Sequence, residues 1–273
     1  EKKSDPAFAQ TLASLGDVYV NDAFGASHRE DASIVGVAKL LPSYAGLLMR
    51  KEIEHINRAI RNPAHPVVAI IGGIKVTTKL ALLKKLTEIA DTLILGGGLA
   101  TVFLKAAGHE VGKSVLVAEE VGLAQEFLAY TKSHNTHLLL PDDVLVGNPA
   151  DEHTGGTVKL VGEVGPSDVM LDIGPETQAK IGMVLGSAKT IIWNGPVGYM
   201  ENPQYRRGTD YLYYAITQNR QALSIVGGGD TLAAISKKEY LDHITHISTG
   251  GGAMLEYIEK GTLPGIEALN NAA

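Results

Sequence analysis

From residue 66 onward, short apolar runs alternate with amphipathic ones. Residues 67–71, 92–95, 137–140, 169–172, 190–193, 223–226 and 243–247 are rich in β-branched and aliphatic side chains. Such runs predict buried strands. Residues 79–90 carry Leu80, Leu82, Leu83, Leu86 and Ile89 at helical spacing, and residues 101–106, 117–132 and 176–185 also predict helices. Apolar strands alternating with helices predict a parallel sheet covered on both faces. Residues 147–167 are polar and Gly-rich, which predicts a loop containing a hairpin.

The first sixty residues follow a different rhythm. Asp5-Pro6 opens a helix through residues 7–15, which leads straight into a strand at residues 17–20. The next forty residues offer that strand no clear partner. Residues 40–60 form one amphipathic segment with Leu47, Leu48, Ile53, Ile56 and Ile60 as its stripe, and Pro63 ends it.

A chain of 273 residues suffices for two modest domains or one large one. Its formal net charge of -6 argues against a general nucleic-acid binder. No apolar run reaches membrane-spanning length, and the first residues do not read as a signal peptide. The absence of cysteine excludes disulfides, thiolate catalysis and thiolate metal sites. A cytoplasmic protein with no nucleic-acid or membrane partner is the expectation.

Glycine runs follow the apolar runs: Gly72-Gly73, Gly96-Gly97-Gly98, Gly195 after Trp193-Asn194, Gly227-Gly228-Gly229, and Gly250-Gly251-Gly252. In parallel α/β sheets ligands bind at the carboxyl ends of strands, where these glycines fall. Glycine there lets backbone N–H groups approach an anion, and a following helix start adds partial positive charge. Several such loops aimed at one place would bind a polyphosphate.

Each candidate has an ordinary alternative. Lys75 and Lys79 are four apart near a helix predicted to begin about Thr77, so both ammonium groups could meet phosphate; otherwise they are surface lysines. Asp230, with Thr231 beside it, is the candidate for Mg²⁺, which typically takes one or two carboxylates plus phosphate oxygens; otherwise it caps a helix. Asn194 could donate to a phosphate or close a turn. Glu201 could accept from sugar hydroxyls or simply be exposed. Arg29 could be a bidentate anion ligand or a salt-bridged arginine. The string Ala107-Gly108-His109-Glu110-Val111-Gly112-Lys113-Ser114 fits a relaxed phosphate-loop pattern. That loop requires a preceding strand, whereas a helix precedes it here, and Gly108 reads as that helix's C-cap.

Taken in order, these motifs resemble phosphoglycerate kinase. The matching strings run from Tyr19 to Arg29, Gly72 to Lys79, Gly96 to Lys105, Leu171 to Pro175, Trp193 to Glu201, Arg207 to Thr209, Gly227 to Thr231 and His246 to Gly252, with Leu263-Pro264-Gly265 near the end. The resemblance implies phosphoryl transfer between 1,3-bisphosphoglycerate and ADP, yielding 3-phosphoglycerate and MgATP. It also implies a three-layer α/β/α domain with a mostly parallel Rossmann-like sheet, preceded by an incomplete second α/β domain. Residues 1–40 would be a remnant of the glycerate-binding domain and 41–61 an interdomain helix. Residues 62–252 would form the nucleotide-binding domain, and 253–273 a loosely held segment returning to the first domain.

By resemblance, Lys75 contacts nucleotide phosphate and the group in flight, and Lys79 binds nucleotide phosphate. Asn194 touches the phosphate chain, Glu201 the ribose, Asp230 the metal and Thr231 a phosphate, with Gly229 in the same loop. Gly73, Gly97 and Gly198 leave room for adenosine. Gly250, Gly251 and Gly252 present N–H groups to the transferred phosphoryl, and Arg29 binds the glycerate phosphate.

The chain departs from the family pattern at Ile74, at Tyr199-Met200 and at Glu30-Asp31. The family's remaining basic ligands have no counterpart here. The expectation is therefore a truncated kinase that binds nucleotide with little turnover. The alternatives are a stand-alone nucleotide-binding module and a dinucleotide oxidoreductase, the latter disfavoured by the lack of a Gly-x-Gly-x-x-Gly turn.

Overall fold

A computed structural model describes residues 1–2, 4–151, 153–229, 231 and 238–270, without side-chain placement at 238–240. The chain divides into two compact units, Pro63–Ile247 and a smaller one formed by Glu1–Asn62 with the residues from Ser248 on.

The smaller unit begins with α1 (Pro6–Ala13), capped by the Asp5 carboxylate, which accepts from Phe8 N–H at 2.8 Å. β1 (Tyr19–Asn21) pairs in parallel with β2 (Ser43–Ala45). The early strand therefore does find a partner within the next forty residues. Only three residues pair, and Val20 and Tyr44 are exposed, so β2 carries no apolar signature of its own. The segment predicted as one amphipathic run from residue 40 is thus β2 followed by α2 (Leu47–Ile60).

Two closing helices, Gly251–Lys260 and Pro264–Asn270, complete this unit. The second is not loosely held. Leu263 is fully buried, Gly265 N–H donates to Ser27 O at 2.8 Å, and Ala268 packs with Ile34, Val35 and Ala38.

The larger unit opens with β3 (Val67–Ile71), α3 (Leu80–Thr87), β4 (Thr92–Leu95), α4 (Gly97–Ala106), α5 (Val121–Thr131) and β5 (His137–Leu139). It continues with β6 (Asp143–Val146), β7 (Thr157–Leu160), β8 (Met170–Ile173), α6 (Pro175–Ser187), β9 (Thr190–Asn194), α7 (Arg207–Gln218), β10 (Leu223–Gly227) and β11 (His246–Ile247). Six strands form one all-parallel sheet in the order β11-β10-β9-β3-β4-β5, with helices on both faces. Every residue of β3 is buried, as a strand covered on both sides requires. Val68 and Ile70 pack with Ile181, Leu185, Leu212 and Ile216 of α6 and α7, while the alternating Val67, Ala69 and Ile71 are equally buried.

One strand leaves the predicted sheet. β8 joins β6 and β7 in a separate three-stranded antiparallel sheet, with β6 in the middle. β6 and β7 form a hairpin, but its first strand precedes the Gly-rich stretch 147–167 and only β7 lies within it. The run at 169–172 has the composition of a parallel strand, and only its partners decide otherwise.

Candidate functional site

The sheet order reverses between β3 and β9. From β3 the chain steps outward through β4 and β5; from β9 it steps the other way through β10 and β11. Ligand crevices form at such a switch point. Here Gly72 N–H donates to Asn194 O at 2.8 Å, and Gly97 N–H to Val197 O at 3.0 Å. A Cβ on Gly72 would stand 2.1 Å from Pro196 O, so only glycine lets these two loops touch. Asn194 Nδ2 donates to Gly227 O at 2.9 Å, and Gly195 N–H to Thr231 Oγ1 at 2.7 Å. The loops after β3, β4, β9 and β10 are thereby tied to one another.

Beside this junction lies a cleft of about 750 Å³. Its lining includes Gly73, Lys75, Lys79, Gly97, Gly198 and Glu201. Leu104, Val115, Val144, Met170 and Leu171 add an apolar wall, and Asp172 also lines it. Cations together with an apolar wall suit a ligand that combines a flat, weakly polar body with an anionic tail.

Lys75 is exposed and Lys79 half-buried. They do not share a helix face. Residues 77–79 form a turn, and α3 starts at Leu80 with Lys79 as its N-cap. The cause is the buried Val76, which pins the middle of the loop and turns Lys79 back under Gly73. A Cβ on Gly73 would stand 2.8 Å from Lys79 Cε, and its φ of +136° also requires glycine. Desolvation holds the Lys79 pKa below the ordinary lysine value.

Asn194 and Thr231 are buried and bind the strand ends together. Each retains donor capacity beyond those bonds, since an amide carries two N–H groups and a hydroxyl one proton. Gly198 is packed from below, because a Cβ there would stand 2.2 Å from Tyr205 O and 2.4 Å from Asp172 Oδ1. Gly229 is exposed, and among the described residues no atom beyond its own stretch of chain lies within 4 Å of where its Cβ would stand. Asp230, the metal candidate, lies outside the described residues. Arg29, Gly250, Gly251 and Gly252 belong to the smaller unit. There Arg29 is exposed, and Glu52 Oε1 accepts from both Thr249 N–H (2.7 Å) and Thr249 Oγ1 (2.8 Å), fixing the turn that precedes the glycines.

The phosphate-loop look-alike is structural. Gly108 has φ +97° just past α4, with its N–H on Lys105 O and that of His109 on Leu104 O, a helix C-terminal cap. The N–H groups of Val111 and Gly112 are taken by Glu110 Oε1.

Two carboxylates escaped the motif reading. Asp172 accepts from Gly208 N–H (2.8 Å) and Ile173 N–H (2.9 Å), and burial pushes its pKa up to about 7 despite those bonds. It lies within a matching string, so its position was visible and its role was not. Glu120 accepts from the loop that carries both lysines. It is 44 residues away in sequence, and nothing local signals the contact.

A family profile described as phosphoglycerate kinase matches residues 1–261. The chain belongs to the phosphoglycerate kinase family. Phosphoglycerate kinase of Dictyoglomus turgidum is 44% identical over 271 residues, a match covering 99% of this chain and 68% of that protein. Phosphoglycerate kinase of Haemophilus influenzae is 46% identical, covering 100% of this chain and 69% of that protein. The solved phosphoglycerate kinase of Coxiella burnetii superposes with a TM-score of 0.91 at 41% identity, covering 99% of this chain and 69% of that one. The structure from Pyrococcus horikoshii gives 0.85 at 33% identity, covering 96% and 65%.

Membership in the phosphoglycerate kinase family makes this a phosphotransferase of glycolysis. Among the described residues, no helix is long and apolar enough to cross a membrane. No group of three or more metal-ligating side chains occurs among them either. A magnesium ion held by phosphate oxygens and one carboxylate needs no such group. The ammonium and amide donors present suit phosphate oxygens.

Proposed function

We propose that the cleft beside the switch point binds ADP or ATP with Mg²⁺, and that the chain carries the nucleotide half of phosphoryl transfer between 1,3-bisphosphoglycerate and ADP. The single observation that supports this most is the mutual tethering of the loops after β3, β4, β9 and β10, beside which Lys75, Lys79 and several glycines line one crevice.

In this reading Lys75 and Lys79 bind the phosphate chain, and Lys75 also meets the phosphoryl group in transfer. Asn194 and Thr231 donate their remaining protons to phosphate oxygens. The apolar wall with Gly73, Gly97 and Gly198 receives the adenosine, and Glu201 accepts from the ribose. Asp230 holds the magnesium, which neutralises phosphate charge when bound. Arg29 binds the glycerate phosphate, and the N–H groups of Gly251 and Gly252 meet the transferred phosphoryl, that of Gly250 being taken by Ser248 Oγ at 3.3 Å. The chemistry requires little beyond this. The attacking oxygen is already ionised at neutral pH, so positioning and charge neutralisation carry most of the catalysis.

The chain spans 68% and 69% of its two curated relatives above, and Arg29 is the one arginine assigned to the glycerate phosphate. We expect these 273 residues by themselves to bind nucleotide and to turn over slowly, and the protein to be a cytoplasmic monomer. Calorimetry with MgADP tests the binding. Saturable binding that weakens about tenfold or more in Lys75→Ala is expected from loss of a charge-assisted bond. Undiminished binding in that variant would overturn the assignment, and NADH binding in preference to ADP would favour an oxidoreductase.

A further inference from the structure

The loop between Lys75 and Lys79 is held from outside by one carboxylate. Glu120 is only 5% exposed and sits at the start of α5. Its Oε2 accepts from Val76 N–H at 2.5 Å, and its Oε1 from Thr77 N–H at 3.2 Å and from the Thr77 hydroxyl. Two successive N–H groups and a hydroxyl converging on one anion make a nest of the kind that binds phosphate. Here a side chain of the protein already fills it.

Two consequences follow. The backbone donors of Val76 and Thr77 are committed, so at these two positions the loop offers a nucleotide no free N–H, and its positive charge comes from the flanking lysine side chains. Those lysines flank the anchored pair, so the Glu120 carboxylate fixes the backbone from which both ammonium groups reach. Val76 is fully buried, and without Glu120 its N–H would be a buried donor lacking its partner.

We propose that Glu120 is a positioning residue for nucleotide binding, setting the separation of Lys75 and Lys79 through the N–H groups of Val76 and Thr77. The inference rests on the cleft being the nucleotide site.

The test is a double-mutant cycle on the full chain, read by MgADP calorimetry. Glu120→Gln keeps the shape but places an N–H₂ where one oxygen accepted, and is expected to weaken MgADP binding about tenfold, the scale of a lost bond to a charged group. In the Lys75→Ala/Lys79→Ala background the same change is expected to cost less than about twofold, because nothing remains to be positioned. A purely structural role would give equal losses in both backgrounds, and that result overturns the proposal. Thr77→Val removes one of the three donors without touching the carboxylate, and is expected to weaken binding in the same direction with the same dependence on the lysines. Full MgADP affinity in folded Glu120→Gln overturns this inference alone, whereas an unaltered chain that fails to bind MgADP overturns the nucleotide reading as well.

Discussion

The N–H of Gly72 donates to the carbonyl of Asn194 across 2.8 Å, joining the ends of the two strands between which the sheet reverses direction. The contact depends on a missing side chain, since a Cβ on Gly72 would meet Pro196 O at 2.1 Å and Gly195 O at 2.7 Å. Both obstacles are backbone and cannot swing aside. Gly72→Ala should therefore destabilise the larger unit by about 1–3 kcal/mol, the usual range for overpacking. Trp193 is the sole tryptophan, is buried, and donates to Gly195 O at 2.9 Å, so its fluorescence reports the transition directly. An unchanged denaturation midpoint would refute the close approach.

Asp172 makes stability depend on pH in the unusual direction for a carboxylate. Burial is the main cause of its raised value, Asp210 adds to it, and Arg207 with the Gly208 and Ile173 N–H groups opposes it. The folded chain then holds a proton up to about pH 7 that the unfolded chain releases near 3.8. Between those values the native state binds more protons, so this contribution to stability is full below pH 4 and is lost as pH rises to about 7. Its upper limit is on the order of 4 kcal/mol. Asp172→Asn should flatten the slope of midpoint against pH over that window, and an unaltered slope would show that the carboxylate does not titrate there.

Lys79 should set the alkaline limit of nucleotide binding. Lys79 is desolvated and its pKa is lowered, so its charge is lost at a lower pH than that of an ordinary lysine. MgADP affinity should therefore decline on the alkaline side before ordinary lysines titrate. Lys79→Arg, which stays protonated, should move that decline to higher pH. Calorimetry across alkaline pH checks this, and identical profiles for the two proteins would remove Lys79 from the phosphate contact.

The closing helix of the smaller unit should be protected rather than frayed. Leu263 is fully buried, and the N–H groups of Gly265, Ile266 and Glu267 are all bonded. Amide exchange should show these three slowed well beyond exposed loop positions. Leu263→Ala should cost about 2–5 kcal/mol of that unit's stability, as core leucines do.

The parallel sheet and the glycine-rich strand ends were legible because both follow from local pattern. Apolar runs of four or five residues between amphipathic ones leave few topologies, and a glycine at the carboxyl end of such a run marks a close approach. What the pattern could not show depended on partners. The run at 169–172 has the letters of a parallel strand yet pairs antiparallel with β6. Ser43–Ala45 carries no strand signature, yet it completes the sheet of Tyr19–Asn21. Lys75 and Lys79 stand at helical spacing, but the buried Val76 and the distant Glu120 hold them on the loop and turn ahead of α3. Asp172 stood inside a matching string, and only the folded packing of Gly198 and Gly208 around it reveals its role.

The central claim is that separate strand-end loops make one phosphate cradle. Amide chemical-shift mapping of the full chain titrated with MgADP tests it most directly. The amides of Gly73, Lys75 and Gly97 should shift together with those of Gly195, Gly198 and Gly229, all with one saturation curve. Shifts confined to a single loop, or spread to surfaces away from the β3–β9 junction, would contradict it.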